Sequence, residues 1–267
     1  MSSAASADAH ARAWHLQSSI RTAEVAGQVW PYIDTQGDGP TLVMLPGSVG
    51  TCEMFFKQIA ALGRALRIVS VSYPAVADPE HLADGLAGLL DHLRLNRASI
   101  LGSSFGGYWA QYFGLRHAGR VETLFLGNTF ITAEELFSNP LFNPDWIRGT
   151  SPADMQKFWR DRVAQAPESE LKAIQLDMLS GRQDADNLKS RFVGVIGARA
   201  CPPIAVPADD IVVIDCADDP IIPPASRQAV ADHYANAERV TLPFGGHYPH
   251  ILNADAYNTA ITRRLPR

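Results

Sequence analysis

The sequence predicts an α/β fold, a mostly parallel sheet flanked by helices, with a helical cap inserted late in the chain. Three observations carry this expectation. Short β-branched runs alternate with longer amphipathic segments from about Gln28 onward, the pattern of strands joined by crossover helices. The strand-like run Ile211-Val212-Val213-Ile214 is apolar without a break, as a strand covered on both faces is. The alternation then stops after residue 126 and resumes at Ile211, far longer than an ordinary connection, for which about 15 residues is already long.

Residues 30–35 read as an early strand closed by the turn Gly37-Asp38-Gly39-Pro40, and residues 41–45 as the next, ending at Pro46-Gly47. Thr51 is placed to cap a helix whose Phe55, Ile59 and Leu62 share one face. Residues 66–71 read as a buried strand, and Asp78-Pro79 marks a helix start with proline at the first position. Leu82, Leu86, Leu89, Leu90 and Leu93 then form an apolar stripe for the sheet. Residues 98–101 are a strand, residues 105–115 a nearly all-apolar helix suited to the middle of the domain, and residues 121–126 another strand. The expected cap carries helix-like stretches at residues 152–163, 169–179 and 184–192, with Phe137, Phe142, Trp146 and Phe158 available either to line a pocket or to pack the cap. Residues 211–214 and 239–242 complete the strands, residues 225–234 are a helix, and residues 251–264 a closing helix. In domain terms, residues 1–18 are expected to be a disordered tail, residues 19–129 and 206–267 the core, and residues 130–205 the cap.

Composition narrows the function. With 267 residues and 46% apolar content, the chain can bury one large core. A net charge of -5 with interspersed signs offers no basic stripe for nucleic acid and no polybasic patch for a membrane. Cys52, Cys201 and Cys216 are odd in number and widely spaced, which suits a reduced cytoplasm better than a disulfide framework or a zinc site. The N-terminal stretch lacks the basic start and apolar run of a signal peptide.

The chemistry centres on Gly102-Ser103-Ser104-Phe105-Gly106, a nucleophile-elbow pattern lying between an apolar strand and an apolar helix. A sharp turn strains the central serine, so its neighbours two residues away must lack side chains. Gly102 and Gly106 meet that need, and Ser104, not Ser103, is at the centre. A serine hydroxyl needs a base, and the base an orienting acid, in the chain order Ser, Asp, His. The buried run of residues 211–214 leads into Asp215-Cys216-Ala217-Asp218-Asp219-Pro220, at the end of the sheet where such sites assemble. Asp219 is the expected acid, with Asp218 the alternative and Asp215 a loop cap. His247, in Gly245-Gly246-His247-Tyr248-Pro249-His250, follows the last strand and is the expected base. His250 reads as a surface histidine, and the other six histidines as structural or exposed. An oxyanion hole needs backbone N–H donors. Phe105 supplies one, and Ser48 or Val49, in the loop Pro46-Gly47-Ser48-Val49-Gly50, the second. No cofactor and no metal is required by this set.

These residues resemble the α/β-hydrolase superfamily and, within it, the maspardin-like branch. The likeness lies in Gly50-Thr51 with Phe55-Phe56-Lys57-Gln58-Ile59, in Tyr73-Pro74, in the elbow running on through Gly107-Tyr108-Trp109-Ala110-Gln111, and in residues 215–218 with Gly245-Gly246. The resemblance implies the α/β-hydrolase fold. It also implies a caution, because maspardin is regarded as a binding protein without a histidine in its Gly-Gly loop. His247 departs from that pattern. The expectation is therefore a cytoplasmic serine hydrolase taking a small-molecule acyl substrate (a carboxylic ester, thioester or lactone), with no nucleic-acid or membrane partner. The alternatives are a non-catalytic module that binds a protein partner, and a lyase or biosynthetic enzyme using the same residues.

Overall fold

The computed structural model describes residues 19–265. The expected tail, residues 1–18, lies outside the described residues, and with it His10 and His15. Eight strands form one sheet: β1 (Ile20–Val25), β2 (Gln28–Asp34), β3 (Thr41–Leu45), β4 (Arg67–Val71), β5 (Ala98–Ser103), β6 (Val121–Gly127), β7 (Ile211–Cys216) and β8 (Glu238–Leu242). Their order is β1-β2-β4-β3-β5-β6-β7-β8. The β1/β2 and β2/β4 pairs are antiparallel and every other pair is parallel. From β3 the chain first moves outward to β4 and then, from β5, works toward the other edge. The β3/β5 neighbourhood is thus the point where strand order reverses, and open α/β sheets bind ligands in the crevice beyond the strand ends there.

Helices α1 (Phe56–Leu62), α2 (Pro79–His92) and α3 (Phe105–Arg116) connect the first parallel strands. Between β6 and β7 lie α4 (Pro144–Gly149), α5 (Pro152–Ala164), α6 (Glu170–Asp177) and α7 (Ala185–Ile196); α8 (Pro224–His233), α9 (Pro249–Leu252) and α10 (Ala254–Thr262) follow. Alternation along the strands builds two cores. Val43 and Leu45 of β3 face one side with Leu82, Leu86, Leu89 and Leu90 of α2, whereas Leu42 and Met44 face the other with Tyr257 and Ile261 of α10. Each fully buried leucine stabilises the fold by roughly 1.5–3 kcal/mol. The start of α2 is as its sequence implies: Asp78 Oδ1 accepts from the N–H groups of Glu80 and His81, leaving Pro79 where no donor is missed.

Four local features depart from expectation. β1 was not anticipated, because it is an edge strand that buries only Ala23 and so shows no apolar alternation. Its hairpin to β2 turns through Ala26 and Gly27, both at positive φ, and alanine is not a residue that announces such a turn. The helix α4 is likewise additional; Asn143 caps it through Trp146 N–H, with Pro144 at the first position. The expected single closing helix is broken at Asn253, whose φ of -141° separates α9 from α10. Finally, α6 runs into a widened π-type turn over Met178–Arg182, with Gly181 at φ 144°. The cysteines are free and buried, and no described helix is long and apolar enough to cross a membrane.

Candidate active site

The elbow forms because β5 ends against α3 with no residue to spare. Ser104 takes φ 54° and ψ -121°, a strained conformation for a residue with a side chain. Its backbone is held on both sides: Ser104 N–H donates to Gly127 O of β6 at 2.8 Å, and its carbonyl accepts from Thr129 Oγ1 at 2.8 Å. A Cβ at Gly102 would meet Gly106 O at 2.3 Å, and one at Gly106 would meet Leu45 O at 2.3 Å. Either substitution would push the turn apart. Ser104 Oγ makes no hydrogen bond to another described residue, and the hydroxyl opens into a cavity of about 510 Å3.

The loop after β7 brings Asp219 to His247. Asp219, 8% exposed, uses both oxygens: Oδ2 lies 2.9 Å from His247 Nδ1 and accepts from Asn128 Nδ2 at 2.7 Å, while Oδ1 accepts from the N–H groups of Ile221 and Ile222 at 2.8 and 3.1 Å. Burial by itself would raise this carboxyl, but the His247 charge and the bonds from His247, Asn128 and Ile221 outweigh it and bring it down to about 2. The other two aspartates are engaged elsewhere. Asp218 accepts from the N–H groups of Gly245 and Gly246, shaping the histidine loop, and Asp215 pairs with Arg239 across β7 and β8. An Nδ1–H donating to this carboxylate leaves Nε2 as the ring nitrogen that can accept a proton. Ser104 and His247 both line the cavity, and hydrogen bonds of this kind commonly close only on substrate binding.

Asn128 is the member of this cluster that sequence reasoning missed. It sits one residue beyond β6 at φ 42°, donating both to Asp219 and to Gly246 O at 3.1 Å. A polar residue just past the carboxyl end of a central parallel strand was the available signal.

Among the described residues, the N–H groups of Ser48, Val49 and Phe105 have no acceptor. Phe105 N–H opens the first turn of α3 directly after Ser104, and Ser48 and Val49, in the loop after β3, line the same cavity as Ser104. A Cβ at Gly47 would lie 3.0 Å from Ser104 Cβ, which measures how close the loop approaches. Of the four aromatics expected as pocket candidates, Phe142 lines the cavity, joined by Trp159 and Phe192. Trp146 instead packs on Phe158 at 4.7 Å, while Phe137 and Phe158 are exposed.

His250 is not the surface residue the sequence suggested. It is 2% exposed, lines the cavity, contacts the rings of Phe55, Tyr248 and Tyr257, and has no hydrogen-bond partner on either ring nitrogen. Its turn follows Pro249 directly, so the chain enters α9 pointing inward. Burial, reinforced by the charges of His247 and Lys57, lowers this imidazole to about 3. The unfolded chain takes up a proton here below about pH 6.5, which the folded chain refuses, so stability falls by about 1.4 kcal/mol per pH unit as pH drops from that value toward 3. His250→Phe, which keeps the ring packing, is expected to flatten the slope of unfolding free energy between pH 6.5 and 4 by about that amount. Urea titrations across that range check it, and an unchanged slope would contradict it.

Fold and cluster together define the class: the chain belongs to the alpha/beta hydrolase family, whose model matches residues 42–260. Among characterised relatives, human maspardin is 28% identical over 234 residues, covering 84% of this chain and 74% of maspardin. In fold the chain is similar to the enol-lactonase of Burkholderia xenovorans LB400, with a TM-score of 0.72 at 24% identity over 91% of this chain and 99% of that one. It is also similar to the esterase EaEST of Exiguobacterium antarcticum, with a TM-score of 0.73 at 18% identity over 91% and 97%.

Proposed function

We propose that this chain is a serine hydrolase that cleaves a small or medium carboxylic ester, thioester or lactone through an acyl-Ser104 intermediate. The observation that carries the reading is the His247–Asp219 hydrogen bond of 2.9 Å, made by an imidazole that shares its cavity with a strained, unbonded serine hydroxyl. In this reading His247 Nε2 takes the Ser104 proton as Oγ attacks the acyl carbon. The developing oxyanion is held by Phe105 N–H and by Ser48 or Val49 N–H. Collapse expels the alcohol or thiol, protonated by His247, and water attacking the acyl-enzyme returns free acid and Ser104. Asp219 holds the imidazole tautomer and stabilises its charged form. A cavity of about 510 Å3 walled by Phe142, Trp159 and Phe192 suits an apolar acyl chain of modest length.

The likeness to maspardin favours a second reading, a protein-binding module without turnover. The two part at one experiment: a fluorophosphonate probe reacts only with an activated serine. The hydrolase reading expects stoichiometric labelling of the folded protein, with loss of turnover on p-nitrophenyl esters in step. A folded protein that neither labels nor turns over any ester in the panel would favour the binding module.

A further inference from the structure

One segment following the π-type turn holds the whole loop after β3. Gln183 Nε2 donates to Ser48 O at 2.7 Å, and Gln183 Oε1 accepts from Gly50 N–H at 2.9 Å. Asn187 Nδ2 donates to Tyr73 O at 2.7 Å. One turn further along α7, Arg191 Nη1 donates to Gly47 O at 2.7 Å and to Gly50 O at 2.6 Å. Its guanidinium lies 3.8 Å over the ring of Tyr73, whose own hydroxyl donates to Pro46 O and Gly47 O at 2.8 and 3.2 Å.

Arg191 is 1% exposed, is seen to bond only backbone carbonyls among the described residues, and leaves its Nε without a partner. Burying a cation this way is costly, and replacement by an apolar side chain of similar volume would relieve the cost. What the charge does instead follows from peptide planarity. The carbonyl of one residue and the N–H of the next belong to one rigid plane and point in opposite directions. A guanidinium that holds Gly47 O therefore aims Ser48 N–H away from α7. The loop comes close to the nucleophile at this peptide: a Cβ at Gly47 would lie 3.0 Å from Ser104 Cβ and 3.5 Å from its Oγ. Positive charge on the carbonyl end also polarises the same peptide and makes its N–H a stronger donor.

We infer that Arg191 is a positioning residue for acyl transfer, a buried cation that fixes and polarises the Gly47–Ser48 peptide so that Ser48 N–H serves as the second oxyanion donor. The inference rests on the hydrolase reading above. Arg191 touches neither the acyl group nor Ser104; it acts through the peptide it holds. Gln183 holds the following peptide, whose donor is Val49 N–H, and so supplies the internal contrast.

The test compares Arg191→Met, Arg191→Lys and Gln183→Met with the unmutated protein. Each is assayed for kcat and KM on a p-nitrophenyl ester and for affinity toward a boronic acid, which forms a tetrahedral adduct with the serine, and the Ser48 amide resonance is followed by NMR. Loss of an oxyanion donor costs about 100- to 1,000-fold in kcat. Arg191→Met is expected to lose about 100-fold in kcat and a similar factor in boronate affinity, with KM changed by less than about threefold. Arg191→Lys, which keeps the charge and one carbonyl contact and so folds even if the methionine variant does not, is expected to recover about tenfold of that loss. Gln183→Met is expected to leave the Ser48 amide shift and boronate affinity closer to the unmutated values. Unchanged kcat and boronate affinity in Arg191→Met with an unmoved Ser48 amide would overturn the inference, as would no recovery in Arg191→Lys relative to Arg191→Met, or an equal or larger loss in Gln183→Met. Inactivity of the unmutated protein counts against the hydrolase reading itself, and the Ser48 amide then still decides whether Arg191 sets that peptide.

Discussion

Ser104→Ala is expected to lower kcat on a p-nitrophenyl ester by about a millionfold, with KM changed by less than about threefold. The size of the loss follows from the role: without the hydroxyl there is no covalent step, and only the polarising donors of Phe105 and the Gly47–Ser48 loop remain, a residual effect of roughly a thousand- to ten-thousandfold over water. The fold should hardly notice. Ser104 Oγ makes no hydrogen bond with another described residue, and the backbone contacts that hold the elbow run through Ser104 N–H and Ser104 O, which alanine keeps. Thermal unfolding of the variant is therefore expected within about 1 kcal/mol of the unmutated protein. Retained turnover in a well-folded Ser104→Ala would leave no place for the serine in the reaction.

Asp219→Asn is expected to lower kcat by about ten-thousandfold, and Asp218→Asn by less than about tenfold. An amide at position 219 can present an N–H to His247 Nδ1, so the imidazole would carry its proton on Nε2, where the lone pair is needed. Position 218 touches the N–H groups of Gly245 and Gly246 through separate oxygens, at 3.3 and 2.8 Å, and an asparagine oxygen can keep the shorter bond, from Gly246. The two variants also differ in acid stability. The Asp219 carboxyl, at about 2 in the folded chain against 3.8 unperturbed, contributes about 2 kcal/mol above pH 4 that is lost as pH falls toward 2. Asp219→Asn removes that dependence, and the amide N–H that turns to His247 takes the place of Oδ2, so Asn128 Nδ2 faces another donor instead of an acceptor. Kinetics at pH 7.5 together with urea unfolding at pH 3 and 7 check both halves. Equal losses of kcat in the two variants would contradict the assignment of Asp219.

Much of the architecture was readable because it follows from local chemistry. Asp78-Pro79 marks a helix start where it falls before an apolar stripe, and the unbroken apolar run around Val212 reads as a buried central strand. The placement of Ser104 at a strained strand-to-helix turn and of His247 in a loop beside the same cavity follows the glycines around them. Asp219 and Asp218 were harder to separate. Adjacent residues on a loop differ only in which way the loop turns them, and that depends on the N–H groups of Gly245, Ile221 and Ile222 that each one meets. Arg191 was out of reach altogether. On an amphipathic segment an arginine reads as solvent-facing, and its burial arises only because α7 packs on Tyr73 and the Gly47 loop, more than a hundred residues away in sequence. His250 was misread by the same logic, as a polar residue in a short turn that Pro249 directs inward. The edge strand β1 left no mark because it buries almost nothing.

If Ser104 is the activated nucleophile, peptide mass spectrometry of the fluorophosphonate adduct is expected to find a single phosphonyl group on Ser104, formed in step with loss of ester turnover and absent from His247→Ala. An adduct on Ser103 or Ser48, or full turnover persisting after Ser104 is modified, would contradict it.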